Sequence, residues 1–504
     1  MYQALLTRRY LFSKIMPLLA SLAVMLSVAM ELITWSVMGG FLDTLISTGR
    51  NVIGDVNITW PQVGFAHYDE LIERLEEDDR VVSATPVTET YGLINLPGGF
   101  VKTVSIRGVD PEGYDRVTGW FGGHYWTPIE EPLRLDKDRE DPRLDEELRP
   151  AFERLRSFGR RLEFDTVEDG AVRPRAAVVL GTEVYPKGAY RQRAGFVSTD
   201  IAEYLIGEDA TIQVLPTDQR GGAIGPAART LVIANEAQSG VYEIDSSVVY
   251  VPLAALQAML KMDEAEVVAG PGKLVVDENG EPVGFAAPDT VDVSPARVTS
   301  VLVRGADGVD PKELKLACEQ SYAAFSDERA GDVPRATSII INTWRDQNRT
   351  LIAAVEKETA LVLFIFGIVS LTSIFLVLAI FWSMVSEKTR DVGILRALGA
   401  SKTGVAWLWV RYGLAIGTAG SLFGVLLAYA VISNINEIHD FLGEAFGLVI
   451  WDPSVYYFST IPSDLDPVKA AIIAAAGLLS STVGALVPAW RAANMDPVQA
   501  LRFE

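Results

Sequence analysis

The chain of 504 residues has few side chains that bind metals or form cross-links. Its one cysteine, Cys318, excludes an intrachain disulfide and a cysteine-based zinc or iron–sulfur cluster. Its three histidines, His67, His124 and His439, lie far apart in the sequence and do not form a metal-ligand spacing. We therefore expect neither a metal site nor a cofactor bound by this chain.

Basic residues are also scarce relative to acidic ones. The chain has 44 Lys and Arg against 65 Asp and Glu, which gives a formal net charge of −21. Because nucleic-acid binding needs a basic surface that neutralises phosphates, we expect no nucleic-acid partner. Yet the mean hydropathy is +0.21 and 49% of the residues are hydrophobic. Apolar and acidic residues must therefore be concentrated in different parts of the chain.

Four stretches are apolar enough to cross a bilayer core of about 30 Å, which takes roughly 20 residues of helix. The first stretch, residues 15–42, is interrupted only by Glu31, and it is too long for a cleaved signal peptide. The last is rich in Ala and Gly, so a buried helix of a soluble protein is an alternative interpretation for it. The predicted membrane helices are residues 15–42, 360–385, 404–432 and 470–490.

The distribution of Lys and Arg predicts the orientation, because these residues are retained on the cytoplasmic side of a membrane. They occur in residues 1–14, 386–403 and 491–504, which we assign to the cytoplasm. Residues 433–469 are acidic and contain no base before Lys469, so we assign them to the outside. The large segment 43–359 lies outside as well.

The outer segment 43–359 predicts an α+β domain. Strand and helix signals alternate near both of its ends, as in βαβ units, and short strand signals fill residues 176–260. The predicted fold is thus an α-helical membrane protein with four transmembrane helices and a large α+β extracytoplasmic domain, in which two βαβ-like halves bracket a β-rich subdomain. Residues 127–174 and 270–295 are predicted surface insertions, either solvated or partner-binding. The second contains a hairpin-turn signal at residues 277–280.

Several motifs resemble those of a known family. Residues 387–401, Glu-Lys-Thr-Arg-Asp-Val-Gly-Ile-Leu-Arg-Ala-Leu-Gly-Ala-Ser, resemble the cytoplasmic loop of FtsX-like permeases, the membrane subunits of MacB-type ABC transporters. Residues 488–502 are similar to the ending of the same superfamily. Other motifs narrow the resemblance to LolC and LolE, the permeases of the lipoprotein-releasing system. These motifs are Ser36–Phe41, Arg107–Pro111, Val179–Gly181, Ser239–Ser246 and Trp344–Asn348.

In the resembled transporters the cytoplasmic loop docks into a separate ATPase subunit and receives its movement. The residues themselves predict a short amphipathic helix at Asp391–Leu398, since Val392, Leu395 and Leu398 recur at helical spacing. A basic helix lying on anionic lipid is the alternative. The candidate coupling residues are Glu387, Arg390, Gly393, Leu395, Arg396, Gly399, Ala400 and Ser401.

The chain is not expected to be an enzyme. Residues 399–403, Gly-Ala-Ser-Lys-Thr, have some residue types of a phosphate-binding loop, but they lack its Gly-Lys-Thr ending and a preceding strand. No other candidate for such a loop occurs in the sequence. ATP and magnesium are therefore expected on a partner, a LolD-like ABC ATPase subunit.

The resemblance implies a function at the bacterial inner membrane, with the large domain periplasmic and both termini cytoplasmic. Two permeases, identical or paralogous, would take a lipoprotein from the outer leaflet through a lateral cleft open to membrane lipids, and pass it to a periplasmic carrier. Export of a peptide, antibiotic or toxin by a MacB-like pump is an alternative, as is FtsX-like signalling to a cell-wall hydrolase. The candidate cleft residues in the first helix are Glu31, Met38, Gly40 and Phe41.

Small residues recur at four-residue spacing in the last two predicted membrane helices. The pairs are Gly413–Gly417, Gly420–Gly424 and Gly477–Ser481. Such spacing permits close approach of helices in lipid. It predicts either packing within the chain or an interface with a second permease.

Overall fold

The computed structural model describes residues 15–129, 143, 145–168, 170–185, 205–217, 222, 224–268, 273–276, 282–286, 291–448, 450–451 and 460–501. The chain divides into two compact units. The helical unit comprises Met1–Thr44, Thr350–Ile450 and Ile461–Glu504, and the sheet unit comprises Leu45–Arg349 and Trp451–Thr460.

Helices are numbered in chain order over the described residues. They are α1 Ile15–Ile53, α2 Tyr68–Glu76, α3 Pro111–Thr118, α4 Arg149–Arg161, α5 Tyr242–Ser247, α6 Leu253–Leu260, α7 Pro311–Glu328, α8 Trp344–Gln347, α9 Arg349–Glu387, α10 Thr389–Ala397, α11 Lys402–Ser433, α12 Ile435–Phe446, α13 Pro467–Ala493 and α14 Pro497–Leu501.

Strands are numbered in the same way. They are β1 Val56–Thr59, β2 Phe65–Ala66, β3 Val81–Leu96, β4 Phe100–Val109, β5 Glu163–Glu168, β6 Ala171–Gly181, β7 Asp209–Val214, β8 Ala227–Ala237, β9 Val248–Pro252, β10 Ala265–Val268, β11 Lys273–Val276, β12 Pro282–Ala286, β13 Val291–Ser294, β14 Arg297–Val298, β15 Ser300–Gly305 and β16 Ile340–Thr343.

Four helices of the described chain, α1, α9, α11 and α13, are long and apolar enough to cross a membrane. Each contains one of the stretches predicted from the sequence. Within the helical unit their shared core includes Val28 of α1, Phe381 of α9, Ile416 of α11 and Ala485 of α13. The four transmembrane helices of the predicted fold are thus present.

The small-residue pairs lie where helices of this chain meet. A Cβ atom added to Gly413 would lie 2.6 Å from the Cβ of Ala485, and one added to Gly420 would lie 2.8 Å from the Cβ of Val24. Ser481 Oγ donates a buried hydrogen bond of 2.8 Å to the Gly413 carbonyl oxygen. These positions are filled by packing within the chain, so a second permease has no room at them.

Exposed tryptophans mark one end of the helical bundle. Trp382, Trp407 and Trp490 lie near the ends of α9, α11 and α13 that adjoin the segment 388–401, and each side chain is exposed. The Arg491 guanidinium lies 4.0 Å from the centre of the Trp382 ring. Tryptophan favours the boundary between lipid and water, and it often stacks with a cation there. Exposed tryptophans beside the segment 388–401 are typical of a helix end at such a boundary.

The sheet unit contains two interlocked split βαβ units. In the first, β1 and β3 flank β15 and are joined through α2; in the second, β15 and β16 flank β1 and are joined through α7. Leu71 of α2 and Tyr322 of α7 pack with Ile58 and Val301 of the strands in one buried cluster. The two βαβ-like halves predicted from the sequence therefore share one antiparallel sheet.

The long strand β3 joins this sheet to a closed ring of six strands. Its second half pairs with β4 on one side and with β7 on the other, and β9, β6 and β8 complete the circuit. At the closure, a Cβ atom on Gly92 would lie 2.4 Å from the Gln213 carbonyl oxygen, so glycine is required. The ring encloses an apolar cluster that includes Ile94, Ile106 and Ile212. Four of its strands, β6 to β9, come from the β-rich segment predicted at about residues 176–260, whereas β3 and β4 belong to the segment predicted as the first βαβ-like half.

The first predicted insertion is more ordered than its composition indicates. It contains α4 and β5, and β5 pairs along its whole length with β6. Phe152 of α4 is buried and stacks on Trp126 with ring centroids 5.9 Å apart. The sequence predicts only a surface insertion here, although Phe152, Leu155 and Gly159 follow a helical spacing on the packed side of α4.

The second predicted insertion contains paired strands. β11 and β12 pair in antiparallel register, with Leu274 opposite Phe285, and β10 pairs with β13. The predicted turn at residues 277–280 lies outside the described residues. Its flanking strands have the antiparallel arrangement that a hairpin turn requires.

His124 gives the sheet unit a pH-dependent stability. Its ring is buried edge-on against Trp120, with centroids 4.5 Å apart. Burial, with a smaller contribution from the positive Arg160, lowers the pKa of His124 from 6.5 to about 3. The unfolded chain therefore binds a proton below pH 6.5 that the folded chain excludes, so stability falls as the pH falls from about 6.5 towards 3.

We predict that lowering the pH from 7 to 5 costs the sheet unit roughly 2 kcal/mol through His124. Replacing His124 by Phe is expected to remove this part of the pH dependence. Hydrogen exchange of the full chain at both pH values, read on amides of residues 120–126, measures it. An equal loss of protection in the wild type and in His124→Phe would contradict the assignment.

Candidate functional site

The segment between α9 and α11 forms a compact corner around a short helix. α10 spans Thr389–Ala397, close to the predicted helix Asp391–Leu398. Lys388, which separates α10 from α9, forms an ion pair of 3.0 Å with Asp391. The predicted short helix is therefore present, and it begins two residues earlier than expected.

The apolar face of α10 differs from the prediction. Val392 is buried and Leu395 is half-buried, but the Leu398 side chain is 81% exposed. Leu398 lies beyond the last helical residue, Ala397, so its side chain does not continue the face of Val392 and Leu395. Ile394 is also 44% exposed. The corner thus presents two bulky apolar side chains outward, and sequence periodicity identified only one of them.

The turn after α10 has a defined shape. Gly399 adopts a positive φ of 96°, which favours glycine. Arg396 Nη1 donates a hydrogen bond of 2.9 Å to the Ala400 carbonyl oxygen. Ser401 Oγ accepts from the Gly404 N–H at 3.1 Å and caps α11. These candidate coupling residues fix the geometry of the corner, whereas Ile394 and Leu398 form its surface.

The remaining candidate coupling residues divide into a packed position and an exposed pair. Gly393 is buried beside Val392, whereas Glu387 and Arg390 are exposed. The C-terminal helix α14 packs against α10, and its Ala500 is buried. The motifs at residues 387–401 and 488–502, which are far apart in the sequence, therefore meet at this corner.

The candidate residues of α1 make contacts within the helical unit. Ser36 Oγ donates to the Asp464 carbonyl oxygen at 2.7 Å, and the Asp464 N–H donates back to the Ser36 carbonyl oxygen at 3.2 Å. A Cβ atom on Gly40 would lie 2.8 Å from the Cα of Ser463. Met38 and Phe41 are half-buried. The motif Ser36–Phe41 thus attaches α1 to the segment that leads into α13.

Glu31 links two membrane helices. Ser370 Oγ of α9 donates a hydrogen bond of 3.3 Å to Glu31 Oε2, and the Glu31 side chain is half-buried. A carboxyl group in a membrane helix is costly unless it has a polar partner or contacts water. The structure therefore brings Glu31 to the α1–α9 contact.

The α9 helix, the second predicted membrane helix, also displays exposed apolar side chains. Four of these side chains lie at the spacing of one helix face, but the sequence of α9 is apolar on every side, so no sequence signal distinguishes this face. Such a face suits lipid, acyl chains or another apolar helix. The exposed residues are Phe364, Ile368, Leu371 and Phe375.

Three motifs of the sheet unit have structural roles. Arg107 is buried and lies 3.3 Å from Glu89 Oε1. Asp245 is also buried, and it accepts hydrogen bonds from the Ser239 N–H at 2.6 Å and from the Ser239 hydroxyl at 2.7 Å. A Cβ atom on Gly181 would lie 2.2 Å from the Asp245 carbonyl oxygen. Arg107 thus joins β4 to β3, and Asp245 holds the turn before α5 against the end of β6.

The motif Trp344–Asn348 likewise shapes the chain. Thr343 and Asp346 form a capping box at α8, and Lys315 Nζ lies 2.9 Å from Asp346 Oδ2. Trp344 lies against Gly49, where no side chain would fit. Across the described residues, no group of three or more His, Cys, Asp and Glu is arranged to hold a metal ion.

These features agree with the class that comparison with known families defines. Residues 363–497 match the family model of the FtsX-like permease C-terminal domain. The match includes most of α9, the corner around α10, and helices α11 and α13. The chain therefore carries an FtsX-like permease domain.

Similarity to individual proteins is more specific than the match to the family model. The lipoprotein-releasing system transmembrane protein LolC of Xylella fastidiosa is 28% identical over 204 residues, which cover 39% of this chain and 48% of the relative. LolC of Neisseria meningitidis serogroup B is 31% identical over 193 residues, covering 38% and 46%. The macrolide export ATP-binding/permease protein MacB of Hahella chejuensis is 23% identical over 249 residues, covering 48% and 32%.

The chain thus spans about half or less of the length of the curated relatives it matches. Among solved structures, the periplasmic region of MacB from Actinobacillus actinomycetemcomitans aligns with 60% of this chain and 94% of that one, at 10% identity and a TM-score of 0.27. The resemblance to FtsX-like, MacB-type ABC transporter permeases, with LolC and LolE among the relatives, is confirmed.

Proposed function

We propose that the chain is the permease subunit of an ABC transporter complex that removes lipoproteins from the outer leaflet of a bacterial inner membrane. A periplasmic carrier would receive the lipoprotein. The observation that best supports a transport role is the corner at α10, which lies within the FtsX-like match and presents Ile394 and Leu398 to solvent. The similarity to LolC supports lipoprotein as the cargo.

The corner at α10 is suited to receive movement from a separate ATPase. Burying the Leu398 side chain in a partner would contribute about 2 kcal/mol, and Ile394 would add to this. The hydrogen bond from Arg396 to Ala400 and the Ser401 cap make the corner stiff. A displacement of α10 would therefore pass to α9 and α11. ATP and magnesium would be bound by the ATPase, and this chain would supply no catalytic group.

The exposed apolar face of α9 is suited to the membrane part of the task. Acyl chains that leave the bilayer lose about 0.8 kcal/mol for each methylene that becomes exposed to water, so a release path must keep them covered. Phe364, Ile368, Leu371 and Phe375 offer such cover, from this chain or together with a second permease. Glu31 lies at the α1–α9 contact beside this path, and Gly40 positions α1 by its packing.

The identity of the cargo can be tested by measuring which molecules stimulate ATP hydrolysis by the partner ATPase. We expect a triacylated lipoprotein to stimulate ATP hydrolysis by the permease–ATPase complex in proteoliposomes, and a soluble variant of the same lipoprotein without its acyl chains to have no effect. Stimulation by a macrolide or a peptide, with none by the lipoprotein, would favour the MacB-like alternative. Stimulation by neither cargo, with activation of a cell-wall hydrolase, would favour the signalling alternative.

A further inference from the structure

Helix α12 follows α11 after a single residue, Asn434, and carries exposed apolar side chains. Phe441 is 63% exposed and Ile438 is 37% exposed, and Phe446 beyond them is exposed as well. At 1.5 Å per residue, α12 is about 18 Å long. The acidic composition of residues 433–469 predicts an outer loop, although Ile435, Ile438, Phe441 and Leu442 follow helical spacing. Helix α12 is thus an amphipathic helix that directly follows a predicted membrane helix.

The sides of α12 meet three different environments. His439 and Gly443 are buried against protein, and Asn436 Oδ1 accepts a hydrogen bond of 2.9 Å from the Ile461 N–H. One adjacent side carries the exposed apolar residues Ile438 and Phe441. Glu437 and Asp440 lie on the side of the helix that adjoins Phe441, and Glu437 is exposed. Protein, apolar and acidic sides thus follow one another around the helix.

We propose that α12 is an interfacial helix whose apolar side lies in the acyl-chain boundary of the leaflet reached by the end of α11. Helix α12 is continuous with a membrane helix, since α11 is long and apolar enough to cross the membrane and α12 begins two residues after it ends. A helix in such a position has its apolar side in lipid and its acidic side in water. Phe441 and Ile438 are then the residues that enter the leaflet.

The charge of the segment indicates how it binds lipid. Residues 435–450 contain no Lys or Arg, so the helix gains no electrostatic attraction from anionic headgroups. Its binding to the membrane depends on the burial of apolar side chains and on the covalent connection to α11. We therefore expect the same depth in a zwitterionic bilayer as in one that contains anionic lipid.

Spin labels can measure this depth. Replacing Cys318 by Ser leaves the chain without cysteine, and single cysteines are then placed at Phe441, Ile438 or Glu437 of the full chain. The labelled chains are reconstituted in phosphatidylcholine vesicles with or without phosphatidylglycerol, and accessibility to oxygen and to a water-soluble nickel complex is measured by power saturation. Labels at Phe441 and Ile438 are expected to favour oxygen, and the label at Glu437 is expected to favour nickel.

Reference positions make the result decisive. A label at Leu426, which is exposed on α11, reports lipid, and one at Tyr91, which is exposed on β3, reports water. The proposal is overturned if the Phe441 label resembles the Tyr91 label, or if it is shielded from both reagents because protein covers the helix. Entry into lipid only when phosphatidylglycerol is present would also contradict it.

Discussion

Replacing Leu398 by Asp is expected to weaken binding of the ATPase subunit by about 10- to 100-fold, because a buried apolar anchor contributes about 1.4–2.8 kcal/mol. Leu398 is 81% exposed and lies outside α10, so its replacement should leave the fold of the chain unchanged. The dissociation constant of the purified permease and ATPase measures the effect. ATP hydrolysis by the assembled complex should fall in parallel.

A matched control separates docking from a general effect of added charge. Leu316 of α7 is also an exposed leucine, and it lies in the sheet unit. Leu316→Asp is expected to bind the ATPase as the wild type does. If Leu398→Asp binds the ATPase with wild-type affinity, α10 does not provide the proposed docking surface.

Other variants at the corner are less selective. Leu395→Asp should also prevent docking, but Leu395 is half-buried, so the substitution disturbs the packing of α10 as well. Gly399→Trp has open space around its Cβ position, yet it forces a bulky residue into a positive φ. Leu398 is therefore the position at which loss of binding is most directly a loss of contact.

Replacing Gly40 by Val is expected to destabilise the helical unit by about 1–3 kcal/mol or more, the usual cost of overpacking. The new Cβ atom would lie 2.8 Å from the Cα of Ser463 and 2.9 Å from the Asp464 nitrogen. Backbone atoms cannot rotate away as a side chain can, so α1 must separate from the segment it contacts. The two hydrogen bonds between Ser36 and Asp464 would then stretch or break.

Gly367 provides the matched control, because it is also a glycine in a membrane helix. No atom lies within 4 Å of a Cβ atom placed on it. Thermal unfolding of the full chain in detergent should show a lowered midpoint for Gly40→Val and little change for Gly367→Val. Equal midpoints for the two variants would show that the contact with Ser463 does not stabilise the unit.

The features best predicted from the sequence depend on local pattern. Long apolar runs predict the four membrane helices, because a helix in lipid must be apolar over the bilayer thickness. The spacing of Val392 and Leu395 predicts α10 to within two residues at its start. The glycine pairs show where helices approach closely, but only the structure identifies Ala485 and Val24 as their neighbours in the same chain.

The features missed by sequence reasoning depend on distant contacts. Closure of the six-stranded ring pairs Gly92 with Val214, and no local pattern indicates which strands meet. The exposure of Leu398 follows from where α10 ends, which periodicity alone does not fix. Helix α4 is not predicted from the sequence because Arg dominates its composition, although Phe152 and Gly159 mark its packed side.

The most direct test of the proposed function is release of cargo. The permease, its ATPase and a triacylated lipoprotein are placed together in proteoliposomes, and the lipoprotein that appears in solution on a purified carrier is measured with and without ATP. We predict ATP-dependent transfer to the carrier, and its loss in Leu398→Asp. Normal ATP hydrolysis with no lipoprotein leaving the vesicles would contradict the proposed function.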